Sequence, residues 1–169
     1  MNLSPARPQR GAAALVIVLL LALVATLGMA YAHRQSWVDL RTARQADQAL
    51  QAQQAAEAGL EWAIAMQALG RIDAQCRATA DASAPGFLDR QVVIAPDGRL
   101  TIGTAQALQR PGCTLQGGAW ACTCAGEHAL PAPGEPTPAF RLQFIEEAGV
   151  GVVRVQAEGQ HGDAVARAS

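Results

Sequence analysis

Four cysteines are the residues of this 169-residue chain whose type and spacing could do chemistry. They are Cys76, Cys113, Cys122 and Cys124, and all of them follow a long apolar run near the N-terminus. An even number of cysteines in an exported domain is typical of disulfides. The alternative is a metal site built on Cys122-Thr-Cys124, although zinc sites usually space their thiolates by two to four residues. The prediction is therefore disulfides, with no metal and no cofactor.

The dipeptide Gly117-Gly118 predicts how these cysteines pair. If it forms a two-residue hairpin loop, Cys113 lies opposite Cys122 on a non-hydrogen-bonded rung, within disulfide reach. Cys124 then pairs with Cys76 and closes a loop of about 49 residues, which contributes about 4 kcal/mol in the chain-entropy model. Four cysteines allow three pairings, and Cys113–Cys122 with Cys76–Cys124 is the favoured set.

The other polar residues lack the arrangement that an enzyme needs. Glu57 and Glu61 are one helical turn apart, but on an Ala- and Gln-rich segment they indicate a solvated face. The histidines His33, His128 and His161 are scattered, and no serine has the context of a nucleophile elbow. With a net charge of −1, the chain also offers no nucleic-acid surface. No enzymatic activity is expected.

The elements that position these residues begin with an apolar run from Gly11 to Ala32. From Ala12 it holds no charged residue, no Asn, Gln or Pro, and its 21 residues span roughly 30 Å of bilayer hydrocarbon. Arginines lie on both sides of the run, at Arg7, Arg10, Arg34, Arg41 and Arg44. The positive-inside count therefore does not decide the orientation. The cysteines and the short basic head favour a cytoplasmic N-terminus.

The tripeptide Ala30-Tyr31-Ala32 offers a second interpretation of the run. Its small-x-small pattern would let signal peptidase cut before His33 and release a secreted domain. An uncleaved signal anchor would instead leave a tethered periplasmic domain. The apolar stretch is longer than the about 7–15 residues of a signal-peptide core, which speaks against cleavage there.

The segment from His33 to about Leu69 predicts an amphipathic helix. Good helix formers dominate it, and apolar residues recur at three- and four-residue spacing. This predicted packing stripe consists of Ala46, Ala49, Leu50, Ala56, Leu60, Ala63 and Ile64.

Beyond Gly70 the pattern is that of short antiparallel strands. Hairpins are expected over residues 91–102 and 113–124, and a meander over 140–166 with a turn at Gly159–Gly162. The Pro-rich connector 130–138 is excluded from the sheet. The apolar face of the sheet needs a cover, and the helix stripe is the amphipathic element that can supply it. The predicted fold class is α+β: a long N-terminal membrane-spanning helix with an antiparallel β-sheet packed on its C-terminal half.

Two motifs in the N-terminal half carry a family resemblance. They are the junction Gln9-Arg10-Gly11 with the apolar run that follows, and Gln54-Ala-Ala-Glu-Ala-Gly-Leu-Glu-Trp-Ala63. Over about Arg7 to Met66, the chain resembles the PilX-type minor pilins of type IV pili. It is also similar to the K-type minor pseudopilins of type II secretion.

The resemblance implies cleavage by a prepilin peptidase between Gly11 and Ala12, followed by N-methylation of Ala12. It implies a leader over 1–11, a transmembrane and filament-core helix over 12–32, its amphipathic continuation over 33–70, and a disulfide-containing β-rich head over 71–169. Other minor and major pilins would be partners through the N-terminal helix. The protein would sit in the inner membrane with its head in the periplasm, and later in a pilus on the cell surface.

One residue departs from the family pattern. Pilins generally carry Glu as the fifth residue after the cleavage point, and here that residue is Val16. A carboxylate at the bilayer centre costs about 2.5–3.5 kcal/mol, so it is kept where a neighbour's terminal amine pairs with it. A subunit with no neighbour above it meets no such amine. Val16 therefore indicates a minor pilin at the tip, which primes assembly and presents its head.

Overall fold

The computed structural model describes residues 10–147 and 150–169, which contain one long helix, one short helix and seven strands. The elements are α1 (Arg10–Ala68), α2 (Phe87–Gln91), β1 (Val93–Ile94), β2 (Leu100–Thr101), a 3-10 turn (Gln106–Leu108), β3 (Gly112–Gln116), β4 (Ala119–Thr123), β5 (Ala139–Glu147), β6 (Val152–His161) and β7 (Ala164–Ala168). Contacts divide the chain into two compact units, one ending at Arg44 and one running from Gln45 to Ser169. Of the predicted leader 1–11, residues 1–9 lie outside the described residues.

Helix α1 is long because its sequence contains no element that stops it. No proline lies between Pro8 and Pro85, and Ala, Leu, Gln and Arg all favour the helix. The helix ends at Ala68, just before Gly70, and the N–H of Leu69 donates to the carbonyl of Met66 over 3.2 Å. The first unit consists of the part of α1 up to Arg44, and the second unit begins with the remainder.

In the second unit α1 packs on the sheet through its smallest residues. Ala52, Ala56, Gly59 and Ala63 are buried along one face, and Met66 continues it towards the helix end. A Cβ on Gly59 would lie 2.9 Å from the Phe140 ring. The sheet therefore approaches the helix backbone closely along this line.

The predicted packing stripe is partly wrong. Ala56, Leu60 and Ala63 contribute to the core. The remaining members of the stripe are exposed, namely Ala46, Ala49, Leu50 and Ile64, with Leu50 57% and Ile64 68% exposed. The physical reason is the close approach of the sheet, which selects a row of Ala and Gly rather than the row that carries larger aliphatic side chains.

The sheet is antiparallel, with strand order β4-β3-β5-β6-β7. Its centre is the β5–β6 hairpin, where Phe140 lies opposite Gly159 and Leu142 opposite Ala157. Phe140 and Leu142 are buried in the core, while Arg141 between them is partly exposed. The predicted α+β class is thus confirmed. The Pro-rich connector stays outside the sheet, because β5 begins at Ala139.

The predicted turn at Gly159–Gly162 is wrong. Strand β6 continues through Gly159 to His161, which pairs with Ala164, and the chain reverses at Gly162 with φ of +60°. Gly159 serves a different purpose, because a Cβ there would overlap the carbonyl oxygen of Ala52 and the amide nitrogen of Ala56. This glycine is where the sheet backbone meets the helix backbone.

The smaller hairpin is present, but its first strand begins at Val93 rather than at the predicted Gln91, which ends a short helix that sequence reasoning missed. Val93 pairs with Thr101 across a turn that contains Gly98 at φ of +81°. The five-residue helix α2 buries Phe87, whose ring stacks edge-on against Trp62 at a centroid distance of 5.4 Å. Trp62 in turn lies 5.5 Å from Phe140, so these aromatic rings join α1, α2 and β5 in one core.

Replacing Gly159 with alanine is expected to destabilise the second unit. The added methyl meets backbone atoms that cannot rotate away, so the loss in the free energy of unfolding should reach the upper part of the about 1–3 kcal/mol range for overpacking. The measurement is the thermal or urea midpoint of the full chain in detergent. Gly70→Ala is the matched control, because no atom lies within 4 Å of its Cβ position. Equal midpoints for the two variants would contradict the close approach.

Candidate assembly helix and disulfide-bridged head

The N-terminal part of α1 exposes an apolar surface on all sides. Its large aliphatic side chains from Leu15 to Leu27 are all more than half exposed. Among the described residues, α1 is the one helix long and apolar enough to cross a membrane, judged by length and composition, with a mean hydropathy of 2.8 in its most apolar window. Leaving apolar area in water costs roughly 25 cal/mol per Å². This surface is therefore expected to contact lipid or other helices.

Val16 lies within this surface and is 55% exposed. The neighbouring positions also lack charge, and the one hydroxyl between Ala12 and Ala30, on Thr26, donates to the carbonyl of Leu23 over 2.9 Å. The helix surface therefore presents no polar group that a partner must satisfy. The predicted processing residues Gly11 and Ala12 belong to the first turns of α1. Their role in processing stays a prediction.

Aromatic residues follow the apolar run where polar residues begin. Tyr31 and Trp37 are exposed, and the indole N–H of Trp37 donates to Nε2 of His33 over 3.0 Å. Rings with one polar edge prefer the boundary between hydrocarbon and water. Arg34 and Asp39 in the same stretch are also exposed. The apolar surface of α1 thus has a defined polar end.

In the second unit the β3–β4 hairpin brings Cys113 and Cys122 together in a disulfide, with a Cα–Cα distance of 4.1 Å. Gly117 and Gly118 have φ values of +58° and +82°, which is the backbone of the two-residue turn that matches strand twist. Because the register follows from this turn, the opposed cysteines are a direct consequence of the Gly-Gly dipeptide.

Cys76 and Cys124 form the second disulfide, with a Cα–Cα distance of 5.1 Å. The backbone N–H of Cys124 donates to the carbonyl of Ala74 over 2.8 Å, which holds the segment after α1 against the end of β4. Cys76 has a φ of +65°, a left-handed conformation that is uncommon for a residue with a side chain. The structure therefore places the four predicted site cysteines in the two pairs named above.

Asp73 shapes the turn that presents Cys76, and sequence reasoning did not single it out. Its carboxylate accepts the backbone N–H groups of Gln75 (2.9 Å) and Arg77 (2.8 Å). The N–H of Arg77 is the main cause that lowers the pKa of Asp73, and the Arg77 guanidinium adds to it. The sequence signal for such a turn is the Asp itself, because an Asp side chain commonly accepts the backbone N–H of the residue two positions later.

The comparisons with known proteins fit this arrangement of helix and head. Residues 10–61 match the family model described as PilX N-terminal. This part of the chain is similar to the N-terminal region of the PilX-type minor pilins. The resemblance predicted from the two motifs is confirmed, and it indicates a minor pilin of a type IV pilus in general. No curated protein and no solved structure matches the chain.

The match covers most of α1 and ends before the sheet. Pilins are structural proteins that interact with other pilus components, and the apolar α1 surface suits membrane anchoring. Glu57 and Glu61 are exposed on α1. Within residues 10–147 and 150–169, no three His, Cys, Asp or Glu side chains lie close enough together to hold a metal ion.

The charged residues of the head form a ladder across the sheet. Arg141 contacts Glu127 (2.7 Å) and Glu158 (3.4 Å), and Arg167 also reaches Glu158 (3.5 Å). The register places Arg141, Glu158 and Arg167 in one row across β5, β6 and β7. Such partly exposed pairs contribute little to stability, roughly 0–1 kcal/mol each. They position the loop that carries Glu127 and His128.

His128 in that loop is buried, and its Nε2 lies 2.8 Å from Oγ1 of Thr114. Burial is the main cause that lowers the pKa of His128 below 6.5, and the nearby Arg141 adds to it. The imidazole therefore binds a proton less readily in the folded head than in the unfolded chain.

The pH dependence of stability should reflect this histidine. As pH falls through about 6.5, the unfolded chain binds a proton that the folded head resists, so the free energy of unfolding decreases by at most about 1.4 kcal/mol per pH unit. His128→Gln is expected to flatten the change in the urea midpoint between pH 7.5 and 5.5. Thr114→Val is the control, since it keeps the buried imidazole and Arg141. An unchanged pH profile in His128→Gln would refute this assignment.

Proposed function

We propose that this minor pilin sits at the tip of a type IV pilus, where it primes assembly and presents its head. The single observation that carries the proposal is Val16, at the position where pilins generally have Glu, within an α1 surface without charge. The PilX N-terminal match supports a minor pilin in general, and Val16 is what separates this chain from subunits along the shaft.

The argument rests on charge pairing in an apolar filament core. A carboxylate there costs about 2.5–3.5 kcal/mol unless a cation compensates it, and in a pilus the cation is the terminal amine of the next subunit. A tip subunit has no next subunit, so an unpaired carboxylate would be a net cost. Val16 removes that cost, and it leaves the terminal amine of Ala12 free to pair with the glutamate of the subunit below.

Topology and processing complete the proposal. Two disulfides in the head favour an oxidising compartment, which is the periplasm when the N-terminus remains in the cytoplasm. The partners are then the prepilin peptidase, which cuts between Gly11 and Ala12, the inner membrane before assembly, and other minor and major pilins afterwards. The same features fit a minor pseudopilin of type II secretion, which is the second candidate.

A domain cleaved before His33 is the competing hypothesis from another class. Helix α1 runs without interruption through Ala30, Tyr31 and Ala32 to Ala68, whereas signal peptidase acts at a non-helical site after a short apolar core. This continuity supports the retention of the apolar segment in the mature protein.

Mass spectrometry of the mature N-terminus should find methylated Ala12. Gly11→Val is expected to block the cut, because a branched side chain obstructs close approach of the peptidase, and the chain should then retain its eleven leader residues. Gly28→Ala is the control, with open space around its Cβ position. A mature chain that begins at His33 would disprove pilin processing and support the secreted domain.

Labelling of the head in sheared fibres should mark fibre ends. Val16→Glu is expected to leave the number of fibres unchanged or slightly reduced, because the new carboxylate adds a cost at one subunit per fibre. Val16→Ala serves as the uncharged control. If label were spread evenly along the fibres, the protein would be a shaft subunit and the tip assignment would be wrong.

A further inference from the structure

The connectivity of the two disulfides is nested. In chain order the cysteines are Cys76, Cys113, Cys122 and Cys124, and the first pairs with the fourth while the second pairs with the third. Neither Cys76 nor Cys124 is bonded to the cysteine next to it in sequence. We propose that this nesting makes the chain a substrate of a thiol–disulfide isomerase in the compartment that receives its head.

Loop length alone does not select the native pairs. Cys113 is 9 residues from Cys122 and 11 (124 − 113) from Cys124, so loop closure favours the native partner by a factor of only about 1.4, which is 11/9 raised to the power 3/2. Cys76 is 48 residues from Cys124 and 37 (113 − 76) from Cys113, which favours the wrong partner by about 1.5. The unfolded chain therefore gives a mixture.

The order of export makes the wrong pairing faster. This step rests on the proposed topology, in which the head enters the oxidising compartment behind a membrane helix. Cys76 then arrives first and Cys113 second, before either native partner is available. A disulfide donor that oxidises thiols as they appear joins Cys76 to Cys113, and Cys122 and Cys124 remain to pair with each other.

Such a mispaired chain cannot correct itself. Exchange begins with a thiolate, and all four cysteines of the chain are consumed in two disulfides, as they are in the native head. The attacking thiolate must therefore come from another molecule. Once the head has folded, Cys113 and Cys124 are 1% and 0% exposed, so the exchange must occur before the sheet closes on α1.

The exchange is balanced and needs no further oxidant. The isomerase thiolate attacks the sulfur of Cys76, forms a mixed disulfide and releases the thiolate of Cys113. That thiolate attacks the sulfur of Cys122, forms the Cys113–Cys122 bond and releases Cys124. The Cys124 thiolate attacks Cys76 and returns the isomerase thiolate. Four electrons and four protons have left earlier, to the disulfide donor that oxidised the chain.

The fold supplies the selectivity that loop length lacks. The Gly117-Gly118 turn sets Cys113 opposite Cys122, and the N–H of Cys124 donates to the carbonyl of Ala74 beside Cys76. The turn favours the Cys113–Cys122 pair, and the backbone hydrogen bond favours the Cys76–Cys124 pair. Neither contact favours a non-native pair. An isomerase therefore needs only to keep exchange open until these contacts form.

The test compares expression of the full chain in cells that lack the thiol–disulfide isomerase of the receiving compartment and in cells that have it, with the disulfide donor present in both. Thiols are trapped by alkylation, and disulfides are mapped by mass spectrometry. In the absence of the isomerase, we expect the native share to fall below about one third, the share of one connectivity among three, because the order of export favours Cys76–Cys113 with Cys122–Cys124. An equal native share in both strains would overturn the proposal.

Two variants provide matched controls. Cys113→Ser with Cys122→Ser leaves Cys76 and Cys124 alone, and Cys76→Ser with Cys124→Ser leaves the hairpin pair. Each variant has one possible intramolecular disulfide, so its yield is expected to be the same in both strains. Isomerase dependence of both variants would mean that the enzyme acts by holding the chain rather than by exchange, and would refute the proposal.

A capture experiment uses the unaltered four-cysteine chain, so its outcome does not depend on whether these variants fold. An isomerase whose second active-site cysteine is replaced by alanine cannot resolve its mixed disulfides, so it should accumulate a covalent adduct with the four-cysteine chain. No adduct would also overturn the proposal. Pilus formation is not measured in any of these experiments. N-terminal sequencing of the same samples shows separately whether pilin processing has failed.

Discussion

The close approach of two backbones, at Gly159 of β6 and Ala52 to Ala56 of α1, is the contact on which the head depends. A β-sheet and a helix usually stand apart by the length of their side chains, and here glycine and alanine remove most of that length. The larger groups are placed around this point: Phe140 lies against Gly59, and Trp62 joins Phe140 to Phe87. The aromatic core therefore surrounds a contact made almost without side chains.

The same helix uses its residues in opposite ways in its two parts. Up to Ala32 it presents large aliphatic side chains outward, and no described residue of the chain covers them. From Ala52 onward it presents small residues to the sheet and keeps charged residues such as Glu57 and Glu61 in water. A helix that must contact lipid or other helices benefits from large apolar side chains, whereas one that must accept a sheet benefits from their absence. Mean hydropathy alone does not distinguish these two demands.

Sequence reasoning succeeded where the local chain dictates the geometry. The Gly117-Gly118 turn fixed the register of β3 and β4, Asp97-Gly98 marked the small hairpin, and the apolar run with its basic junction identified the family region. It failed where a residue serves a distant contact. Gly159 looks like a turn residue until the helix beneath it is known, and the packing face of α1 follows the sheet rather than the largest apolar side chains. Helix α2 is too short to give a periodic signal.

The nested disulfides follow the same division between local and distant constraints. The inner pair fixes the register of a hairpin, and a slip of one residue in that register would turn Cys113 to the opposite face of the sheet. The outer pair depends on this register, because the strand that carries Cys122 also delivers Cys124 to Ala74 and Cys76. The register that the Gly117-Gly118 turn sets therefore serves both bonds, because it places Cys113 opposite Cys122 and brings Cys124 to Cys76. The outer bond adds what the turn cannot supply, since it ties the segment after α1 to the hairpin across 48 residues of sequence.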